Sequence, residues 1–115
     1  MNITITDNTN NNNTIQVESI DENYFGLTQS WCDPSTHCIT HFDVYINLNT
    51  LGDKIDNYRR STITHEFGHV LGLKDDPPIM DHNDSLMHHN RNRNTVFVPT
   101  VFDVQNVRFV YTTLD

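Results

Sequence analysis

Basic residues are scarce in this chain. Seven Lys and Arg stand against fifteen Asp and Glu, a formal net charge of −8 over 115 residues. Nucleic-acid binding draws on clustered Lys and Arg. The basic clusters here are Arg59-Arg60 and Arg91 with Arg93, each read as solvated loop or helix charge, so nucleic acid is not an expected partner. No apolar run approaches the roughly 20 residues of a membrane-spanning helix, and a membrane partner is not expected either. No charged-then-apolar leader opens the chain. The expected location is secreted or extracellular, with a cytosolic one as the alternative. Cysteine is nearly absent: Cys32 and Cys38 flank Asp33-Pro34-Ser35-Thr36-His37. In an oxidising compartment so short a loop suits a disulfide. Reduced thiols, or an adventitious metal site with His37 and His41, are the alternatives. The pair does not form a C-x-x-C finger pattern, which argues against a structural zinc.

What is there is concentrated in one stretch, His65-Glu66-Phe67-Gly68-His69-Val70-Leu71-Gly72-Leu73-Lys74-Asp75. It reads H-E-x-x-H-x-x-G-x-x-D. On a helix, residues four apart project from one face about one turn apart, so His65 and His69 can hold one zinc ion. Glu66 lies beside them, within reach of a water on the same metal. Gly72 lets the chain turn, and Asp75 can swing back as a third ligand. Two histidines at this spacing also occur on ordinary solvated helix faces. The downstream Gly and Asp separate the two readings, because a catalytic zinc takes three protein ligands and keeps one open position. Asp76, His82, His88 and Asp103 are alternatives for the third ligand. No Glu follows Glu66, which sets aside enzymes that use a downstream Glu ligand.

These residues resemble the metzincin clan of zinc endopeptidases, in the snapalysin-type form whose long motif ends in Asp. His65, Glu66, His69, Gly72 and Asp75 fall on that motif one by one. Ser85-Leu86-Met87 is similar to the methionine turn that lies beneath the metal in this clan, with Met80 as the lesser candidate. Residues 99–111 are similar to the last helix of matrixin-like domains, where an Asp opens the helix (Asp103 here) and a Tyr closes it (Tyr111). The resemblance implies one catalytic Zn2+ held by His65, His69 and Asp75. It also implies Glu66 as general base in peptide-bond hydrolysis, and a peptide or protein substrate laid along an edge strand. Astacins and serralysins carry a Tyr two residues after the Met; this chain has His89 there, read as a solvated loop histidine. Matrixin-like domains have a strand, a long helix and another strand before the equivalent of Asn2–Thr6. That third is expected to be missing, leaving a sheet face to be shielded by a partner or a second copy. The alternative to an endopeptidase is a truncated or catalytically weak zinc-binding module that binds peptide or protein.

Length bounds the architecture to one domain with a modest core. Residues 1–72 are expected to carry the sheet and the active-site helix, and residues 73–115 the methionine turn and C-terminal helix. Asn2-Ile3-Thr4-Ile5-Thr6 reads as a strand and residues 7–14 as an Asn-rich loop. Residues 15–20 read as a short strand and residues 24–31 as a strand containing Gly26. Residues 39–48 alternate most cleanly, with Phe42, Val44, Ile46 and Leu48 on one face. Apolar residues from Ile55 to Leu71 recur at helical spacing. They predict a helix that starts between Asp56 and Ser61, stops at Gly72 and packs its apolar side on the sheet. Residues 103–114 predict a second helix with Val104, Val107, Phe109 and Tyr111 in the core. The expected class is α+β: a small twisted mixed sheet packed on a zinc-binding helix.

Overall fold

The computed structural model describes residues 12–36, 39–75 and 85–113, the last three of these by backbone alone. The strand expected over Asn2–Thr6 lies outside the described residues, as do Cys38, Met80, Asp76 and His82. The described chain is α+β, a three-stranded mixed sheet with three helices. In order these are β1 (Thr14–Glu18), β2 (Gly26–Cys32), β3 (Ile39–Asn47), α1 (Leu48–Leu51), α2 (Asp56–Val70) and α3 (Val101–Thr113).

The alternating segment forms the central strand. The sheet order is β1-β3-β2. β1 runs parallel to β3, from Thr14 opposite Asp43 to Glu18 opposite Asn47. β2 runs antiparallel to β3, from Gly26 opposite Ile46 to Cys32 opposite Ile39, with an irregularity between Trp31 and Cys32. A residue pattern of period two buries one face of a strand, and Val44 and Ile46 are indeed buried. They form the core with Leu51, flanked by Phe25, Phe42, Tyr58 and Val70. Burying each such side chain stabilises the fold by roughly 1.5–3 kcal/mol. Leu48, expected to continue the strand, begins α1 instead. The cause is Asn47, whose side-chain oxygen accepts from Asn49 N–H at 3.0 Å and caps a new helix.

α2 starts at Asp56, at one end of the expected interval, and its last helical residue is Val70. Its stop follows from Gly72, the one described glycine with positive φ, at 93°. Gly72 N–H donates to His69 C=O at 2.9 Å and Leu73 N–H to Gly68 C=O at 3.0 Å. That pair of bonds is a Schellman motif, which needs a left-handed residue that glycine adopts without steric cost.

The apolar stripe of α2 is buried only in part: Tyr58 and Val70 pack against the core and Thr62 is buried, while Ile55 is exposed. Ser61, Thr62, His65, Glu66 and Gly68 are buried, while Ile63 is partly exposed. The helix turns this small and polar side inward because β2 crosses it at very close range. A Cβ at Gly26 would lie 2.9 Å from Thr62 Cγ2 and 3.0 Å from Glu66 Cγ. Only a residue without a side chain lets the strand approach this near.

α3 begins at Val101, two residues before the expected start, behind a capping box. Thr100 Oγ1 accepts from Asp103 N–H at 3.2 Å, and Asp103 Oδ2 accepts from Thr100 N–H at 2.9 Å. Its predicted core assignment does not hold for Val104 and Phe109, which are exposed, 43 % and 66 % respectively. Among the side chains described for residues 101–110 of the helix, the buried one is Asp103, so a polar first turn anchors this part of α3 more than an apolar face does. Among the described residues no helix is long and apolar enough to cross a membrane.

Candidate metal centre

His65 and His69 project from one side of α2, with ring centroids 4.8 Å apart and planes perpendicular. Each ring is held by its Nδ1. That of His65 lies 2.8 Å from Leu86 C=O, and that of His69 lies 2.8 Å from Leu73 C=O. A carbonyl can only accept, so both Nδ1 atoms carry protons and donate. For a neutral imidazole the lone pair then resides on Nε2. His65 is neutral at ordinary pH: burial pushes its pKa down to about 4, against the opposing effect of the Leu86 bond.

Both Nε2 atoms point at the same oxygen. Asp75 Oδ1 lies 2.9 Å from His65 Nε2 and 3.1 Å from His69 Nε2. A carboxylate brings lone pairs of its own, so with neutral imidazoles acceptors from three residues face one another. A cation among them turns that repulsion into coordination. Ligand atoms roughly 2.0–2.2 Å from a tetrahedral zinc ion stand about 3.3–3.6 Å from each other, a few tenths of an ångström more than the 2.9 and 3.1 Å from Asp75 Oδ1 to the two Nε2 atoms. Two imidazoles and one carboxylate make a zinc-type donor set, and each ring also carries the backbone-carbonyl partner that orients ligating histidines. The residues present therefore fit the ion.

Gly72 and the helix stop bring Asp75 into place. The Schellman turn reverses the chain and leaves Leu73 C=O facing His69, so the residue that orients one imidazole lies two positions before the carboxylate. Asp75 itself is exposed, on the loop after α2 at the wall of a cleft.

Glu66 is buried one residue along from His65. The ligand atoms of His65, Glu66 and His69 lie within 4.8 Å of one another. Thr28 Oγ1 on β2 donates to Glu66 Oε1 at 2.8 Å, which aims the carboxylate. Burial raises its pKa above the usual carboxylate range, and the Thr28 bond partly offsets that rise. The carboxylate is therefore a better proton acceptor than one in water.

The turn Ser85-Leu86-Met87 lies beneath the helix, and all three residues are buried. Met87 presses on α2 at Gly68, where any Cβ would overlap its sulfur. Asp103 clamps the turn from α3: Oδ1 accepts from Ser85 Oγ at 2.7 Å, and Oδ2 from Leu86 N–H at 3.0 Å. Both oxygens of Asp103 are thus engaged in holding the carbonyl that orients His65, which removes it as an alternative ligand. His88 is buried after the turn, and its Nδ1 accepts from Asn90 N–H at 3.0 Å. His89 is exposed and stacks on His88 with centroids 5.3 Å apart.

The expectation that Arg91 and Arg93 are solvated charges needs correction. Arg91 is only 4 % exposed. It donates from Nε to Ser61 Oγ at 2.8 Å, from Nη1 to His88 C=O at 3.1 Å and from Nη2 to Ser61 C=O at 3.3 Å. Burial pushes its pKa down to about 10, with the nearby Arg93 charge as the second cause. Arg93 is half-buried and lies over the Phe25 ring, 4.8 Å from its centroid. Small side chains on α2 (Ser61 among them) open the space that draws these guanidinium groups inward. Cys32 is an exposed free thiol.

A cleft of about 890 Å³ runs past the site between β2 and the end of α2, with Gly26, Thr28, Glu66, His69 and Asp75 on its walls. β2 is an edge strand of the described sheet. Thr28, the carbonyls of Leu73 and Leu86, and Arg91 are site elements that sequence reading missed. Carbonyls carry no residue signature, and Thr28 meets Glu66 across 38 positions. The small residue at Ser61 was the one available hint for Arg91. No protein-family model, curated protein or solved structure matches this chain.

Proposed function

We propose that this chain is a zinc-dependent endopeptidase with a metzincin-like site. The observation that carries the reading is the convergence of His65 Nε2, His69 Nε2 and Asp75 Oδ1, with a buried, hydrogen-bonded Glu66 beside them. A purely structural zinc has no use for a general base at that position. His65, His69 and Asp75 hold the ion. Bound there, zinc supplies Lewis acidity to a scissile carbonyl and to a water nucleophile. Glu66 accepts the proton that the water gives up and returns it to the departing amine nitrogen. Thr28 keeps the accepting oxygen in place during both transfers. The free edge of β2 offers backbone N–H and C=O groups to an extended peptide, the strand-addition mode of recognition. The carbonyls of Leu86 and Leu73 keep each imidazole in the tautomer that coordinates.

Metal analysis combined with a peptidase assay tests the reading. One zinc per chain is expected, with cleavage of an unfolded protein substrate lowered about 10²–10⁴-fold in Glu66→Ala, the scale of general-base catalysis. Glu66→Ala is expected to retain zinc. Equal zinc in both forms, with neither cleaving any generic substrate, would reduce the chain to a zinc-binding module.

A further inference from the structure

Beside the metal centre lies a second cavity of about 270 Å³, which shares Gly26, His65, Glu66 and Asp75 with the main cleft, and its walls include Phe25, Arg91 and Arg93. Two guanidinium groups therefore share one small space with the general base. Among the described residues neither Arg91 nor Arg93 has a carboxylate within 4.0 Å, since the close ion pairs all belong to other cations. Arg91 has hydrogen-bond partners, but they are Ser61 and a backbone carbonyl, both neutral. Arg93 rests on an aromatic face. In the metal-free chain Glu66 and Asp75 supply two diffuse negative charges to balance them. A divalent cation at the centre offsets those two charges; Arg91 keeps the charge of Asp103 nearby, and among the described residues Arg93 is left with no carboxylate to balance it. Buried or half-buried charge without a partner is costly, and the guanidinium fork matches a carboxylate in shape and charge.

We propose that this cavity takes a carboxylate of the substrate next to the cleaved bond, either an Asp or Glu side chain or a free C-terminal carboxylate. Arg93 touches the carboxylate, and Arg91 supplies fixed positive charge behind it. Phe25 stacks under Arg93 and limits its rotation, which orients the fork before the ligand arrives. The acidic surface of the chain (net charge −8) opposes acidic peptides at long range, so preference has to come from this local pair. The inference rests on the peptide-cleft reading above.

Binding, which does not require turnover, separates failure of this inference from failure of the enzyme reading. The zinc-loaded Glu66→Ala chain is titrated calorimetrically with two pairs of short peptides. One pair is acetyl-Ala-Ala-Asp-Ala-amide and its Asn counterpart. The other is acetyl-Ala-Ala-Ala with a free carboxylate and the same peptide as the amide. At least one acid is expected to bind tenfold or more tighter than its neutral partner, and the pair that shows it identifies the source of the carboxylate. Arg93→Gln in the same background is expected to remove most of that ratio, and Arg91→Lys, which keeps the charge, to preserve it. Thermal unfolding checks that each variant folds. Acid and neutral peptides binding within twofold of each other, no binding by any of the four, or a preference unchanged in Arg93→Gln would each overturn the proposal. Carboxylate preference in a chain whose wild type cleaves nothing supports the cavity and overturns the enzyme alone.

Discussion

Asn47 and the His65/His69/Asp75 group are both polar clusters, and they are built on opposite rules. The Asn47 side chain is fully buried at the end of β3. Its oxygen accepts from Ile20 N–H at 2.9 Å and Asn49 N–H at 3.0 Å. Its amide nitrogen donates to Glu22 C=O at 3.2 Å and Tyr24 C=O at 3.0 Å. Every lone pair there meets a proton. In the histidine group both Nδ1 protons face outward, to Leu86 and Leu73, and both Nε2 atoms face the Asp75 carboxylate, lone pair to lone pair when the imidazoles are neutral. Matched polarity locks a loop, a strand and a helix together at no electrostatic cost. Mismatched polarity costs stability unless something positive arrives. On the proposed reading, the difference is that between a cluster that serves the fold and one that serves a ligand.

The sharpest way to break the comparison is to remove each cluster and see what is lost. Asn47→Ala strands two backbone donors and the Glu22 carbonyl, each worth about 1–3 kcal/mol when left unmade, while Tyr24 C=O keeps its bond from Thr50 Oγ1. With some water entry, a stability loss of about 3–5 kcal/mol is expected in denaturant unfolding. That is a large share of the roughly 5–15 kcal/mol available to a domain. Zinc affinity of the molecules that remain folded should not change. Asp75→Ala should behave in reverse. The metal-free chain should be as stable as wild type or more so, while zinc affinity falls at least a hundredfold, about 2.7 kcal/mol, by competition with a chelating dye. Metal-free Asp75→Ala losing 2 kcal/mol or more, a scale set by single-residue stability changes, would mean that the carboxylate serves as an ion-pair partner for a protonated histidine. The two clusters would then obey one rule.

How much of each cluster was legible in the sequence follows from how local it is. The H-E-x-x-H spacing, the stop at Gly72 and the return of Asp75 are carried by eleven consecutive residues, and helix periodicity together with the Gly72 turn brings them together. The alternation of Phe42, Val44 and Ile46 is equally local, and it marked β3. Asn47 was invisible as a hub, because all four of its partners are backbone groups and three belong to residues 20–24. Arg91 was misjudged for the same reason. Its burial depends on Ser61, thirty positions away, and charge in a polar segment reads as solvated when its neighbours are unknown. The apolar pattern of α2 misled in another way. Periodicity locates a stripe but does not say how far round the helix burial extends, and here the close approach of Gly26 draws the Thr62 and Glu66 side inward as well. α3 was placed to within two residues at its start, yet Val104 and Phe109 face outward, since its anchor is a carboxylate and not a stripe.

Between the two clusters stands Thr28, which belongs to the sheet by its backbone and to the site by its hydroxyl. It pairs with Val44 in β2–β3 and donates to Glu66 Oε1. If the division between fold and site is real, the two roles should separate in Thr28→Val. Valine keeps the shape and β-propensity of threonine, so the sheet should be unaffected within about 0.5 kcal/mol, the usual range for a change that disturbs no packing. Glu66 loses one hydrogen bond to a charged group that must receive and release a proton. A loss of about 1–1.4 kcal/mol in transition-state stabilisation follows, a five- to tenfold lower kcat with zinc content unchanged. Thr28→Ser restores the hydroxyl without the methyl and should recover most of the rate. Rate lost equally in Thr28→Val and Thr28→Ser would place the effect in the packing of β2 against α2, where Gly26 already leaves no room, and not in the aim of the carboxylate. Retained kcat in Thr28→Val would show that burial and the helix hold Glu66 unaided.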